Sequence, residues 1–398
     1  MIPAGKVRRP DASPCWAHAP QSWRRALLAL SFCFLATAPA HGMELRPHGE
    51  RSAARLVAEG NEALVQGAFE RAAQAYRRAL EIDSRDFHAI YNLGLTWQAQ
   101  GQWEQARRRY EQALHIHPNH PQVLNNLGII AFAQGDYHDA AARFSAAAQH
   151  STGNALDTAD YLFNLGTARE ALGQLTEARD AYRSATELDP EHFNALYNLG
   201  SLFMSSSLRH PASAERYLRL AHRVAPQRSE PLLNLAILMH QLSRIEEARS
   251  LFDTAVQAAQ DRQSAMLQQA LWRRALFFED QRLFVEMRRD LETLLQRNPN
   301  FPGANGRLGR HFRNLAEFDR AITLLEREVS EGNFDPEDPG DIEALFHLAM
   351  IYAHERPNPR KAMEFAARFY RLRPDSPQER ELRRRLRQLS TAPTAQED

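Results

Sequence analysis

Past residue 50, small, large and polar positions return in a fixed order about every 34 residues. Gly60, Gly94 and Gly128 are 34 apart, and Gly166 and Gly200 continue the series after a four-residue insertion in the 151–156 region. Seven residues after the first four stand Gly67, Gly101, Gly135 and Gly173. Twelve after stand Ala72, Ala106, Ala140 and Ala178; sixteen after, Tyr76, Tyr110, Phe144 and Tyr182; nineteen after, Ala79, Ala113, Ala147 and Ala185. Pro118, Pro190, Pro226, Pro299 and Pro374 close several units. No stretch alternates apolar and polar residues with the period of a strand, so the elements predicted are helices. Each unit then consists of two helices. The first Gly and the Ala positions lie where paired helices cross closely. The aromatic fills the space between one unit and the next. The second Gly sits in the turn, where positive φ costs glycine little. The Pro suits the start of the following helix.

These residues resemble the tetratricopeptide repeat family, whose pattern of small and large residues over 34 positions is among the more specific repeat signatures. The resemblance implies an all-α fold, a right-handed α-α superhelix of about nine helix pairs. Six regular repeats are expected over 51–260, following a linker at 41–50. Degenerate repeats follow over 261–376, keeping Phe284 and Pro299, then Gly309, Phe318 and Ala321, then Ala349, Tyr352 and Ala362. An exposed acidic loop is expected at 331–341. Leu382, Leu386 and Leu389, at helical spacing, predict a capping helix over 377–390, with a loose tail at 391–398. The weakest points for proteolysis are expected near 261–265, in the acidic loop and in the tail, because weak units of an array open first.

The first forty residues have a different pattern. Arg24 and Arg25 precede an uncharged run over 26–38, and Ala38-Pro39-Ala40 follows. A basic flank, a short apolar stretch and a small-residue exit describe a secretory signal, cleaved after Ala40. The run of about 13 residues is short of the ~20 that a spanning helix needs. An uncleaved N-terminal membrane anchor is the alternative. The only cysteines, Cys15 and Cys33, precede the cut, so the mature chain has no disulfide, thiolate nucleophile or cysteine metal site. The full chain balances 49 basic against 49 acidic residues, and loss of 1–40 makes it about −4. That leaves no electrostatic footprint for nucleic acid.

Searches for chemistry find no phosphate-binding loop, no Gly-x-Ser-x-Gly elbow and no His-Glu-x-x-His helix. His115-x-His117-x-x-His120 is the sharpest metal candidate. Its bland reading is a helix end and turn, where polar residues are ordinary. Arg107–Arg109 and Arg383–Arg385 read as solvated faces with acids nearby. No cofactor, no metal and no enzymatic activity are expected.

One set of residues points to binding. Two positions before each marker stand Asn92, Asn126, Asn164 and Asn198, and Asn234 holds that place before Ala236. An asparagine offers an acceptor and a donor that match a peptide backbone. Tyr91, Phe163 and Tyr197 stand one residue earlier, and Ile129 and Met204 further along the helices. The run resembles the tetratricopeptide arm of O-GlcNAc transferase, where asparagines grip extended substrates; nothing here resembles a sugar-transfer domain. Two readings stand: a ladder holding an extended peptide of a partner protein, or amides that bond the next helix. The expected function is a non-catalytic scaffold in envelope assembly, secretion or maturation. The alternative is a regulatory or substrate-presenting subunit of an enzyme complex.

Overall fold

The computed structural model describes residues 48–205, 207–260, 265–330, 334–374 and 376–391. The signal segment 1–40, positions 41–47 of the linker, 261–264, 331–333 and the tail 392–398 lie outside the described residues, as do both cysteines. The chain divides into two compact units, one ending at Val224 and one beginning at Ala225.

The first unit is five antiparallel helix pairs: α1 (His48–Val65) with α2 (Phe69–Ile82), α3 (Phe87–Ala99) with α4 (Trp103–Ile116), α5 (Pro121–Ala133) with α6 (Tyr137–His150), α7 (Ala155–Ala171) with α8 (Leu175–Leu188), and α9 (Phe193–Leu202) with α10 (Pro211–Val224). The second unit is four pairs: α11 (Glu230–Gln241) with α12 (Ile245–Gln260), α13 (Ala265–Asp280) with α14 (Phe284–Arg297), α15 (Ala304–Asn314) with α16 (Phe318–Glu328), and α17 (Pro339–Met350) with α18 (Pro359–Leu372). A π-helical turn, Ile351–Glu355, extends α17, and α19 (Pro377–Thr391) closes the unit against α17 and α18. Nine pairs and a cap among the described residues match the architecture the spacing predicted. The first helix begins at His48, inside the expected linker. Within each unit, each pair packs chiefly on its sequence neighbours, the arrangement of a solenoid.

The marker glycines explain the pairing. A Cβ added at Gly60 would stand 2.5 Å from the ring of Tyr76, at Gly94 2.6 Å from Tyr110, at Gly128 2.7 Å from Phe144 and at Gly166 2.6 Å from Tyr182. The ring therefore lies on the glycine of its own pair and also packs against the next pair, Tyr182 with Leu199 and Leu202 and Tyr110 with Val123 and Leu127. Leu218 takes that place over Gly200 and Leu325 over Gly309. The partner alanines, from Ala72 to Ala185, are fully buried at the crossings.

The turns carry a second signature. Gly67, Gly101, Gly135 and Gly173 have φ between 72° and 84°. In the later pairs Ser243, Arg282 and Ala316 occupy the same turn with φ of 58–60°. A left-handed backbone costs a non-glycine residue about 1–2 kcal/mol, partly offset by the extra unfolded freedom of glycine. Changing all three to glycine is thus expected to stabilise the second unit by about 2 kcal/mol. Denaturant unfolding of the triple variant checks this, and an unchanged midpoint contradicts it.

The acidic segment departs from expectation at its end. Pro339, Gly340 and Asp341 are the first residues of α17, and Asp341 is buried, with its carboxylate accepting from the Asp335 N–H at 2.7 Å.

Candidate functional site

The first helices of successive pairs lie side by side, and the asparagine positions fall where they meet. Asn92 donates its side-chain N–H to Asn61 Oδ1 at 2.8 Å, and the Tyr76 hydroxyl donates to the same oxygen at 2.7 Å. Asn126 donates to the Tyr91 hydroxyl at 3.1 Å, Asn164 to Asn125 Oδ1 at 2.9 Å and Asn198 to the Tyr182 hydroxyl at 3.3 Å. Every one of these four amides thus ties its pair to the pair before it. Burial raises the phenol pKa of Tyr76, Tyr91 and Tyr182 well out of the physiological range, so these hydroxyls stay neutral.

Exposure divides the series. Asn92 is 1% and Asn126 4% exposed, and Tyr91, also named for the binding face, is 7% exposed. Tyr91 is enclosed by Phe87, Tyr110 and His120, which cover its faces. Further along, Asn164, Asn198, Phe163, Tyr197, Ile129 and Met204 are all half-buried. Phe163 packs on Tyr182 and His192, and Tyr197 stacks on Phe193. His192 accepts the Ala195 N–H on Nδ1, so its Nε2–H faces Asp160 Oδ1 at 3.1 Å and joins α9 to α7. Asn234, half-buried, belongs to the second unit.

The histidine trio does not converge. His120 lies over Phe87, with centroids 4.6 Å apart, while His115 is exposed on the last turn of α4. Burial, then the neighbouring His117 and His88, lowers the His120 pKa to about 4, so its ring is neutral at pH 7. Among the described residues no three His, Cys, Asp or Glu side chains group as metal ligands, and no helix is long and apolar enough to cross a membrane.

The second unit offers a different surface, which the asparagine pattern did not reveal. Arg307, Arg310 and Arg313 recur every three residues along α15. Arg307 pairs with Glu279 of α13, and its guanidinium lies 5.4 Å from the Trp272 ring centroid. Arg310 bridges Glu279 at 3.1 Å and Glu343 of α17. Arg313 donates to His347 Nδ1 at 3.0 Å. Counting two residues before Ala275 and Gly309 would have found Arg273 and Arg307 in the sequence.

One buried carboxylate pair in this unit is structural. Glu328, at the end of α16, accepts the Gly303 and Gly306 N–H groups at 2.7 and 2.9 Å and so caps the N-terminus of α15. Burial, with a hydrogen bond to Asp341, pushes the Glu328 carboxyl up to about 7. Both carboxylates are at most 4% exposed, so they face protein rather than solvent.

Tetratricopeptide repeat profiles match residues 63–128, 119–191 and 307–377, together half of the chain. No protein of curated function matches. Similar solved structures include the pilF protein of Pseudomonas aeruginosa, at 21% identity, 56% of this chain, 98% of that one and a TM-score of 0.49. PilW, described as a widely conserved type IV pilus biogenesis factor, is 18% identical over 57% of this chain and 100% of its own, with a TM-score of 0.47. YrrB, described as a TPR protein with an unusual peptide-binding site, is 25% identical over 46% and 92%, with a TM-score of 0.39. The family profiles reach even the last two pairs, where the glycine turn has been lost. The chain therefore belongs to the tetratricopeptide repeat family, a fold that serves in general as a non-catalytic scaffold for binding other proteins.

Proposed function

We propose that the first-helix face of the first unit binds an extended segment of a partner protein, and that the chain is an adaptor in envelope assembly, secretion or maturation. The supporting observation is the change in exposure along one helical register. Asn92 and Asn126 are sealed in, whereas Asn164 and Asn198 are half-buried beside Phe163 and Tyr197. Their amide N–H groups hold the array, and no described residue donates to the side-chain oxygen of either. Each oxygen is therefore suited to accept a backbone N–H of a bound segment. A hydrogen bond of this kind adds a net ~1 kcal/mol, so two amides alone give weak, sequence-tolerant binding. Ile129, Met204 and the aromatics would add the side-chain preference.

A photo-crosslinking residue at position 163 or 204 is expected to capture the partner in cells. The same residue at 183, on an exposed site of α8, is expected not to. Equal capture from both helices contradicts the surface. Asn164→Ala with Asn198→Ala is expected to weaken the captured segment about tenfold, the equivalent of 1.4 kcal/mol. A fall in melting temperature with unchanged affinity would show that the amides serve only the array.

We further infer that the protein is exported, with residues 1–40 removed. The basic flank and the 38–40 exit support this reading. N-terminal sequencing of extracytoplasmic protein should begin at His41; an intact N-terminus in the membrane pellet favours the anchor instead.

A further inference from the structure

The cap α19 carries the run Arg383–Arg385, yet consecutive residues of a helix point to different sides, so the run is not one face. The face is made instead by Arg380, Arg383, Arg384 and Arg387, at the spacing of helix neighbours. These positions cover about 10 Å of helix at ~1.5 Å per residue. All four side chains are exposed, and together they line an open groove of about 410 Å³. Arg385 stands apart from it.

The fold answers these charges only in part. Glu379, which is buried, pairs with Arg383 at 2.7 Å. Glu381 is shared by Arg384 and by Arg385, the latter at 3.0 Å. The Arg380 side chain has no hydrogen-bond or ion-pair partner among the described residues. The surroundings do not reverse the balance. Over α17, its π-helical turn, α18 and α19, residues 339–391, eleven basic residues stand against seven acidic ones. Of those acids, Asp341 is bonded to Glu328 and Glu343 is paired with Arg310. Arg383 is also set in place from beneath, its guanidinium 4.5 Å from the Tyr370 ring centroid of α18.

We propose that this face of α19 seats the protein on a bilayer of anionic phospholipid, its guanidiniums donating to the phosphate oxygens of the headgroups. Guanidinium meets phosphate in a planar, two-pronged contact. The face lacks what other partners require. No large apolar side chain of α19 is exposed among those described: Leu382 is wholly buried and Leu386 half-buried. A protein partner needs an apolar or aromatic anchor at the centre of the patch. A nucleic acid strand needs rings on which bases stack, and Tyr370 is already covered by Arg383. A leaflet needs neither, because its phosphates lie in a plane and attract a row of arginines by charge alone. The contact is peripheral, and it is separate from the first-helix face of the first unit.

The test uses the chain from His41, because the basic and apolar segment before it would itself take up lipid, and every described residue lies beyond it. Co-sedimentation is measured with vesicles of phosphatidylcholine alone and of equal parts phosphatidylcholine and phosphatidylglycerol. Binding to the anionic vesicles is expected to be tighter by about tenfold or more, and to fade as salt rises. Arg380→Gln with Arg384→Gln leaves Glu379 paired with Arg383 and Glu381 with Arg385. It should weaken vesicle binding roughly twentyfold, at about fivefold for each arginine near a charged leaflet, with melting unchanged. Glu381→Gln removes an acid beside the face and should tighten binding about threefold, a gain that a misfolded cap could not give. Arg71→Gln with Arg78→Gln, on exposed sites of α2, removes the same charge from the other unit and should leave binding unaltered. Equal binding to both kinds of vesicle, or equal weakening by the two double variants, overturns the proposal. So does single-stranded DNA of matched charge binding as tightly, or release by inorganic phosphate at an ionic strength where chloride has no effect, because the face would then take free polyanions or phosphate.

Discussion

Gly94→Ala is expected to destabilise the first unit by about 2–3 kcal/mol, the upper part of the ~1–3 kcal/mol typical of overpacking in a close-packed core. The sign makes this a sharp test. In the interior of an ordinary helix the same change gains about 0.5–1 kcal/mol, because alanine loses less backbone freedom. At Gly94 the added methyl would meet the Tyr110 ring at 2.6 Å. That ring cannot retreat. It is fully buried, packed at 5.8 Å from Tyr91, and its hydroxyl is held by Gln98 Oε1 at 2.6 Å. Trimming the ring in the double variant Gly94→Ala with Tyr110→Leu should recover part of the loss, giving a coupling energy of at least 1 kcal/mol by the usual scale for contacting residues. Gly67→Ala is the control: nothing lies within 4 Å, and only its φ of 72° opposes the change. Denaturant unfolding of wild type, Gly94→Ala, Tyr110→Leu, the double variant and Gly67→Ala decides the matter, and a more stable Gly94→Ala would refute the packing account.

The second large effect is on pH, and in the wild-type protein it is concealed. Glu328 has its carboxyl raised from 4.5 to about 7, by burial first and by the bond to Asp341 second. A raised value means stability that is complete below 4.5 and lost as pH climbs through about 7. His347 is the opposite case. Burial, then the charges of Arg313 and Arg310, lowers it from 6.5 to about 3, so its contribution is complete above 6.5 and lost as pH falls toward 3. Going from pH 8 to pH 5, Glu328 adds about 2 kcal/mol and His347 removes about 2 kcal/mol, at 1.36 kcal/mol per unit. Asp290 and His311 titrate alongside and are not altered by the test, whereas Asp341, its carboxyl raised by burial and bonded to Glu328, responds to Glu328→Gln. Relative to wild type, Glu328→Gln should therefore lose about 2 kcal/mol on acidification, and His347→Gln should gain about as much. Hydrogen exchange over α15–α18 at the two pH values reads the unit directly. Parallel profiles in all three proteins would show that neither group titrates as its surroundings imply.

Much of the fold was legible because the constraints act over short range. Gly60, Gly94, Gly128 and Gly166 must be glycine where a ring lies on the backbone, and the turn glycines must be glycine where φ is positive. Such requirements recur with the repeat and show as a period. What the period could not show was that each ring serves twice, lying on the glycine of its own pair and packing against the pair that follows. The site was less legible for a similar reason. Asn92 and Asn164 occupy one register, yet Asn92 is sealed and Asn164 is not. The difference lies in neighbours such as Phe87 and His120, which the register does not encode. Arg273 and Arg307 were visible as letters. Arg307 gained meaning only when Glu279 of the neighbouring helix proved to engage it, together with Arg310.

The closing helix has a consequence for how the chain ends. A stack of identical pairs has no inherent last member, since the surface a pair offers to its successor is the surface it would offer to a copy of another chain. At α18 that surface is taken by α19, through Leu382, which is wholly buried, and through the salt-bridged arginines that turn its outer side to water. The helix is thus a chain terminator in the polymer sense. Over about fifteen residues it covers the apolar side of α18 and presents charge on its own outer side.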